Sequence, residues 1–314
     1  MPLTGTQLDR FEAAMPRLHA IAYRMLGSAG DAEDAVQDTF LRWQAADIDA
    51  IEVPEAWLTT VLTNLCRNHL TSARVRREAY VGQWLPEPLL AGDPMLGPAE
   101  TAEQRESLSY AVLALMERLS PDERAVYVLR EAFDHSHREI AGVLGVSESA
   151  SQQLLHRARK RIAAGRPRAE VEPATARAVV EEFMAATADG STERLLRLLT
   201  DDAFSVGDGG GRVPARTAPF AGAAAVARFV RGLFTPGKAK RDLVGGTAEV
   251  HLAEANGSPA VVVAVDGRVV GVMCPEVTAD GITALRNQVN PEKLRRATRQ
   301  WARSERGEPL FRAF

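Results

Sequence analysis

The stretch "HREIAGVLGVSESASQQLLHRARKRI", residues 137–162, constrains the fold more than any other part of the chain. It reads as a short helix closed by Gly145, a fresh N-cap at Ser147, and a second helix carrying apolar Ala150, Leu154 and Ala158. This is helix-turn-helix spacing. Small Ala141, Gly145 and Val146 let two helices cross closely. Ser149, Gln152, Gln153 and His156 face outward near the start of the second helix, where a reader of the DNA major groove needs polar side chains. Two-helix hairpins also occur in plain bundles, so the stretch alone leaves both readings open.

A length of 314 residues exceeds one ordinary core and implies two or three compact units. With 46% hydrophobic and 25% charged residues, no long apolar run and no basic-then-apolar leader, the composition is that of a soluble chain expected in the cytoplasm, without a membrane partner. Two cysteines, Cys66 in a helical pattern and Cys274 in a strand-like one, are too few for a disulfide framework, or for zinc without added histidines. Both are expected as buried thiols, with no metal or cofactor. The net charge of −3 argues weakly against nucleic acid, but the average hides blocks. Arg67, Arg74, Arg76 and Arg77 form one basic cluster, and Arg157, Arg159, Lys160, Arg161, Arg166 and Arg168 form another. Acidic Asp93, Glu100, Glu103 and Glu106 lie between them, and Asp31, Glu33, Asp34 and Asp38 precede both.

From Leu8 to about Tyr80 apolar residues recur three and four apart. In "GSAGDAEDAVQDTFLRW" Ser28 or Asp31 suits an N-cap, and Ala32, Val36, Phe40 and Trp43 form one stripe, leaving Asp31, Asp34, Gln37, Asp38 and Leu41 on other faces. After Pro54 a third helix is expected to bury Trp57, Val61, Leu65 and Leu70 while Thr60, Asn64, Arg67 and Asn68 stay exposed. The segment "VGQWLPEPLLAGDPMLGPAE" is too rich in proline and glycine for a long element and too apolar for a free tether, so it is expected to lie against a surface. Helix resumes at Ser107 and breaks at "SPDE".

Beyond Val171 two helices, "ARAVVEEFMAATADG" and "STERLLRLLTDDA", precede strand-like runs punctuated by Asn256-Gly257 and Asp266-Gly267, the mark of an α+β domain. "GITALRNQVNPEKL" reads as the last strand and a turn, and "RRATRQWARSE" as an exposed helix or tail. No internal repeat is present. The glycines of "SVGDGGGRVPA" raise the question of a phosphate loop, but a Walker loop needs lysine and Ser or Thr after them, and a dinucleotide loop needs G-x-G-x-x-G. Neither pattern is met. The glycines instead permit positive φ in a turn that presents Asp208 and Arg212 to another surface.

"DAEDAVQDTFLRW", "AWLTTVLTNLCRNHL", "SPDERAVYVLREAF" and the helix-turn-helix, in that order, resemble the two regions of bacterial extracytoplasmic-function sigma factors, over roughly residues 11–164. "WLPEP" at Trp84, "DGGGR" at Asp208 and "NPEKL" at Asn290 resemble the marks of a subgroup with a fused C-terminal SnoaL-like (NTF2-like) domain. Arg212 stands where lysine is more frequent and Glu292 where aspartate is, and both changes keep the charge. The resemblance implies a multidomain protein: two all-α regions, a helical bundle (1–80) and a helix-turn-helix (107–168), joined by a linker (81–106), then an α+β cone (169–314).

It further implies a transcription initiation factor, not an enzyme, monomeric when free, with core RNA polymerase (the clamp helices of its largest subunit and its flap region) and promoter DNA as partners. Asp31, Asp34, Gln37, Asp38 and Leu41 would meet the polymerase clamp helices. Asn64, Arg67, Asn68, Arg74, Arg76 and Arg77 would serve the −10 element, which is melted with a base unstacked. Ser149, Gln152, Gln153, His156, Arg157, Arg159 and Lys160 would serve the −35 duplex. Trp84, Leu85, Pro86, Asp208, Gly209, Gly210, Gly211, Arg212, Asn290, Pro291, Glu292, Lys293 and Leu294 would form a regulatory contact acting in cis. The other reading is a small-molecule-binding or catalytic SnoaL-like domain fused to a DNA-binding module. His251, in a strand pattern, is expected to be a satisfied structural residue rather than an acid-base.

Overall fold

Gly27 and Ser28 end one helix and begin the next: α1 (Gly5–Leu26) stops at a glycine with φ 67°, and the Ser28 hydroxyl accepts from Asp31 N at 3.2 Å to start α2 (Ala29–Ala45). With α3 (Pro54–Glu78) they bury Leu18, Ile21, Met25, Val36, Trp43, Leu58 and Leu62. The computed structural model describes residues 5–78, 80–97, 101–165, 171–216, 218–305 and 307–313, without side chains at 73–78 and 102. The predicted basic residues Arg74, Arg76, Arg77, Arg166 and Arg168 therefore lie outside the described side chains, as does Glu100.

The buried row of α3 is Leu58, Leu62, Cys66 and Leu70, one position beyond the expected Trp57, Val61 and Leu65, which are half-buried. Both rows carry apolar residues four apart, so periodicity does not choose between them. Thr59, which joins the buried face, donates its hydroxyl to Glu55 O at 2.8 Å. Trp57 instead tilts against Trp43, ring centroids 5.7 Å apart.

The chain groups into two compact units, Met1–Ala79 with Gly92–Arg166, and Tyr80–Ala91 with Pro167–Phe314. In the first, α4 (Ala102–Leu108) starts ahead of the expected Ser107 because Thr101 and Gln104 form a capping box. It is followed by α5 (Tyr110–Met116), α6 (Pro121–Tyr127), a wider turn to Ala132, α7 (His137–Leu144) and α8 (Glu148–Ala164). Gly145, at φ 68°, closes α7 in the left-handed region, and the Ser147 hydroxyl caps α8 through Ala150 N. The helix-turn-helix is present as expected.

The second unit contains α9 (Pro173–Ala188), α10 (Thr192–Leu198), α11 (Ala223–Phe234), α12 (Lys238–Val244) and α13 (Arg295–Trp301). Its strands are β1 (Leu199–Asp208), β2 (Phe220–Ala221), β3 (Ala248–Ala255), β4 (Ser258–Val265), β5 (Arg268–Thr278), β6 (Gly281–Gln288) and β7 (Phe311–Ala313). They form one mixed sheet of order β2-β1-β6-β5-β4-β3-β7, parallel only between β1 and β6. Asn256-Gly257 (φ 53° and 73°) and Asp266-Gly267 (φ 49° and 78°) turn the β3–β4 and β4–β5 hairpins, as their sequence predicts. Phe183, Leu195, Val226, Val230, Val261 and Leu285 pack in the core of this domain.

Three expectations are corrected. "STERLLRLLTDDA" is helical only to Leu198; the rest is β1, recruited by pairing with β6, a partner that local sequence does not reveal. β6 is not the last strand, because Phe311–Ala313 pairs with β3. The segment after Leu294 is the helix of the two readings offered, but not an exposed one, because α13 buries Ala297 and Trp301.

Candidate functional site

On α2 the exposed residues include Glu33, Asp34, Gln37, Asp38 and Leu41, the last with 53% of its surface exposed, and Arg42 and Gln44 beyond it. An apolar side chain left open among carboxylates and an amide makes a face suited to a partner. Asp31 sits apart from them, half-buried, with His69 Nε2 3.3 Å from its carboxylate.

Asn64 and Arg67 lie together on α3, Asn64 Oδ1 accepting from Arg67 at 2.8 Å, and Asn68 is exposed one residue on. Arg67 is not the free cation expected from sequence. Its guanidinium also donates to the Asp122 carboxylate on α6, at 2.7 Å through Nε and 2.6 Å through Nη2. The two helical regions thus meet inside the first unit, and Arg67 can reach a phosphate only after this pair opens.

On α8, Ser149, Gln152, Gln153, His156 and Arg157 line one open face, while Ser151, Leu154, Leu155 and Ala158 point inward. Among the expected cations, Arg157 and Arg159 are already engaged. Arg157 donates to Glu123 at 3.2 Å and Arg159 to Glu131 at 2.7 Å, and Arg161 joins Glu123 at 2.6 Å; Lys160 is exposed. Glu123 is the residue that sequence reading missed. Its buried carboxylate also takes Ser120 N at 2.9 Å, so one group caps α6 and orients two arginines of α8. The acid–serine spacing in "SPDE" was the available signal.

α1 holds the turn before α7. Arg24, fully buried and lowered by that burial to about 10, donates to Ser107 at 3.2 Å and lies over the Phe133 ring. Arg17 lies 5.0 Å from the same ring centroid, and its Nη2 is 3.0 Å from His135 Nε2. Burial and the Arg17 charge lower the His135 pKa, against the opposing pull of Glu139 and Asp134. The fold therefore favours the neutral ring, and unfolded histidine titrates near pH 6.5, so stability present above that pH is lost as pH falls below it. Between pH 7.5 and 5.5 the wild type should lose more melting temperature than His135→Gln, which gains no proton. Equal losses would contradict this assignment.

In the second unit the three short motifs converge on one carboxylate. Asp208, at the end of β1, is presented to the WLP segment as expected and is fully buried beneath it. It accepts from Tyr80 OH at 2.6 Å, Leu85 N at 2.9 Å, Gly210 N at 3.0 Å, Gln288 Nε2 at 3.3 Å and Lys293 Nζ at 2.7 Å. Burial and the Asp208 hydrogen bond raise the Tyr80 pKa, keeping the phenol a donor. Lys293 also donates to Leu85 O at 2.7 Å and sits 3.9 Å from the Trp84 ring centroid.

Gln288 donates to Leu85 O and Pro86 O, at 3.3 and 3.1 Å. Asn290 donates to Tyr80 OH at 3.0 Å and, through Oδ1, accepts from Glu292 N. Farther along, Leu89 N donates to Asn256 Oδ1 and Asn256 N returns to Leu89 O, so Tyr80–Ala91 forms a strap across the domain. Leu85, Pro86, Leu89, Leu90 and Leu294 are buried. Of the glycine loop, Gly210 has φ 58° and a side chain there would lie 2.2 Å from Asn290 Nδ2, so only glycine fits. Its neighbours Gly209 and Gly211 complete the turn, and exposed Arg212 pairs with Glu292 at 3.0 Å. Within "NPEKL" only Pro291 and Glu292 are exposed, Asn290 and Leu294 being buried. Sequence reading missed Tyr80 and Gln288, which stand just outside the motifs they serve.

His251 is buried against Trp301, ring centroids 5.1 Å apart, and does not line the domain's cavity. Burial raises both thiols, Cys66 and Cys274, to about 12, so neither is a thiolate near neutrality.

Residues 10–76 match the Sigma-70 region 2 family and residues 109–162 the Sigma-70, region 4 family. The chain is 37% identical to the ECF RNA polymerase sigma factor SigJ of Mycobacterium tuberculosis over 92% of its own length and 93% of that protein. The chain belongs to the ECF RNA polymerase sigma factor family. A probable ECF sigma factor of the same organism, SigI, is 32% identical over 87% of this chain and 90% of its own. The crystal structure of M. tuberculosis SigJ is similar at TM-score 0.71 and 34% identity, covering 91% of this sigma factor and 97% of that chain. The family is non-enzymatic: its members bind RNA polymerase and promoter DNA to initiate transcription. No helix among the described residues of this sigma factor is long and apolar enough to cross a membrane.

Proposed function

We propose that this sigma factor uses the exposed α2 face of Asp34, Gln37, Asp38 and Leu41, with Asp31 beside it, to dock on the polymerase clamp helices. Asn64, Arg67 and Asn68, with Arg74, Arg76 and Arg77, serve the −10 element. Ser149, Gln152, Gln153 and His156 read the −35 duplex, where Arg157, Arg159 and Lys160 supply phosphate attraction. The C-terminal domain acts in cis by gripping the connector between the two promoter-binding regions.

The observation that carries this reading is the strap. Residues 80–91 lie in the connector, and free they would extend to about 40 Å. Held by Asp208, Gln288, Lys293 and Asn256 they lose that freedom, and in this reading the domain limits the slack of the connector. A catalytic role for the domain has no such support: its cavity is lined, among the described residues, by no Asp, Glu or His to act as acid or base.

The docking and reading assignments are tested with core polymerase and labelled promoter. Leu41→Arg should weaken core binding at least tenfold and leave the fold intact, because the side chain is exposed. Gln152→Ala and Gln153→Ala should each cost about 1–3 kcal/mol at a matched −35 sequence and nothing at a scrambled one. Unchanged core affinity in the first variant, or equal losses on both sequences in the others, would overturn the respective assignment.

A further inference from the structure

The second unit contains a cavity of about 250 Å³ between α11, α12 and the sheet, walled largely by apolar groups such as Phe220, Phe229, Phe234, Val244, Val263 and Val270. Besides Arg216, two uncharged polar side chains interrupt this lining. Asn287, on β6, is 94% buried and donates its amide to Ser205 Oγ and Val206 O, both at 3.0 Å, which fixes which way the amide points. Its carbonyl Oδ1 is buried and has no hydrogen-bond partner among the described residues. Ser205 is 99% buried, and its hydroxyl, having accepted from Asn287, retains a proton to donate. A buried acceptor left unmatched costs free energy that a bound donor would recover.

We infer that this cavity is a binding site for a small neutral molecule with an apolar ring or chain and one hydroxyl, the hydroxyl donating to Asn287 Oδ1 and accepting from Ser205. Size sets the scale: a cavity of about 150 Å³ holds benzene, so this one takes roughly ten non-hydrogen atoms. Charge sets the class, since the only ionised side chain lining it among the described residues is Arg216, which lies over the Phe220 ring.

The site is also placed to bear on the strap. Successive residues of a strand point to opposite faces. Ser205 and Asn287 line the cavity, while Asp208 and Gln288, the latter adjacent to Asn287, hold Leu85 and Pro86. An occupant that fixes Asn287 and Ser205 stiffens the two strand ends that anchor the strap.

The test is calorimetric titration of the full chain with 4-propylphenol and with propylbenzene, which lacks the hydroxyl. The phenol should bind one to one with Kd below 1 mM, and the hydrocarbon at least tenfold more weakly. Leu233→Trp, at the cavity's partly exposed rim, should abolish binding without disturbing the core, and Asn287→Leu should erase the preference for the phenol. Hydrogen exchange at the Leu85 amide should slow at saturation. Absence of saturable phenol binding, equal affinity for the two probes, or full binding by Leu233→Trp would overturn the site, and unchanged Leu85 exchange would overturn its link to the strap. Neither readout involves polymerase, so failure here is separable from failure of the promoter assignments.

Discussion

Asp208→Ala should destabilise the C-terminal unit by about 3–5 kcal/mol, the range for removing one partner of a buried ion pair. Asp208 is fully buried and the Lys293 side chain only 11% exposed, so the substitution removes the carboxylate 2.7 Å from a nearly buried ammonium. It also strands Tyr80 OH and Leu85 N, which lose an acceptor at 2.6 and 2.9 Å. Asp208→Asn keeps the volume and one acceptor oxygen, and should lose less. Urea unfolding followed by tryptophan fluorescence measures both. A loss below about 1 kcal/mol in the alanine variant would mean that the strap is held by apolar burial of Leu85, Leu89 and Leu90 alone.

Glu123→Ala should be the second-largest effect, about 2–3 kcal/mol on the helical unit. The carboxylate closes the α6 capping box, a contribution of about 1–2 kcal/mol. Its hydrogen bonds to Arg157 and Arg161 add roughly 1 kcal/mol more, discounted because both guanidiniums are about half exposed. Burial pulls its pKa up, but Ser120 N–H and Arg161 outweigh that and hold it below the ordinary value. The stabilisation is therefore present above about pH 4.5 and is lost as pH falls through the lowered value. Glu123→Gln retains the cap and should lose about half as much. Chemical unfolding at pH 7 and pH 4 checks the size and the sign, and a loss in Glu123→Ala that is the same at both would contradict the charged role.

What was legible in the sequence was local. Gly145 and Ser147 specify the helix-turn-helix because a left-handed C-cap and a hydroxyl N-cap are properties of single residues. Asn256-Gly257 and Asp266-Gly267 likewise specify their hairpins. The three motifs around the strap were visible, and so was the expectation that they meet. Their chemistry was not, because Asp208 reads as a loop acid until β1, which pairs with distant β6, carries it into the interior. Arg67 read as a free cation for the same reason: Asp122 is its partner only in the folded unit. The α3 row was misplaced by one position because two parallel apolar rows carry the same period, and only the neighbouring helices choose between them.

Run-off transcription by core polymerase, with full-length wild type beside the Asp208→Asn variant, tests the central claim that a C-terminal domain gripping the connector tunes a promoter-recognition factor. Initiation that requires the chain, with output that changes severalfold when the strap is loosened at equal protein folding, is the predicted result. Equal output from the two proteins would contradict control in cis, and no initiation by either would contradict the promoter assignments themselves.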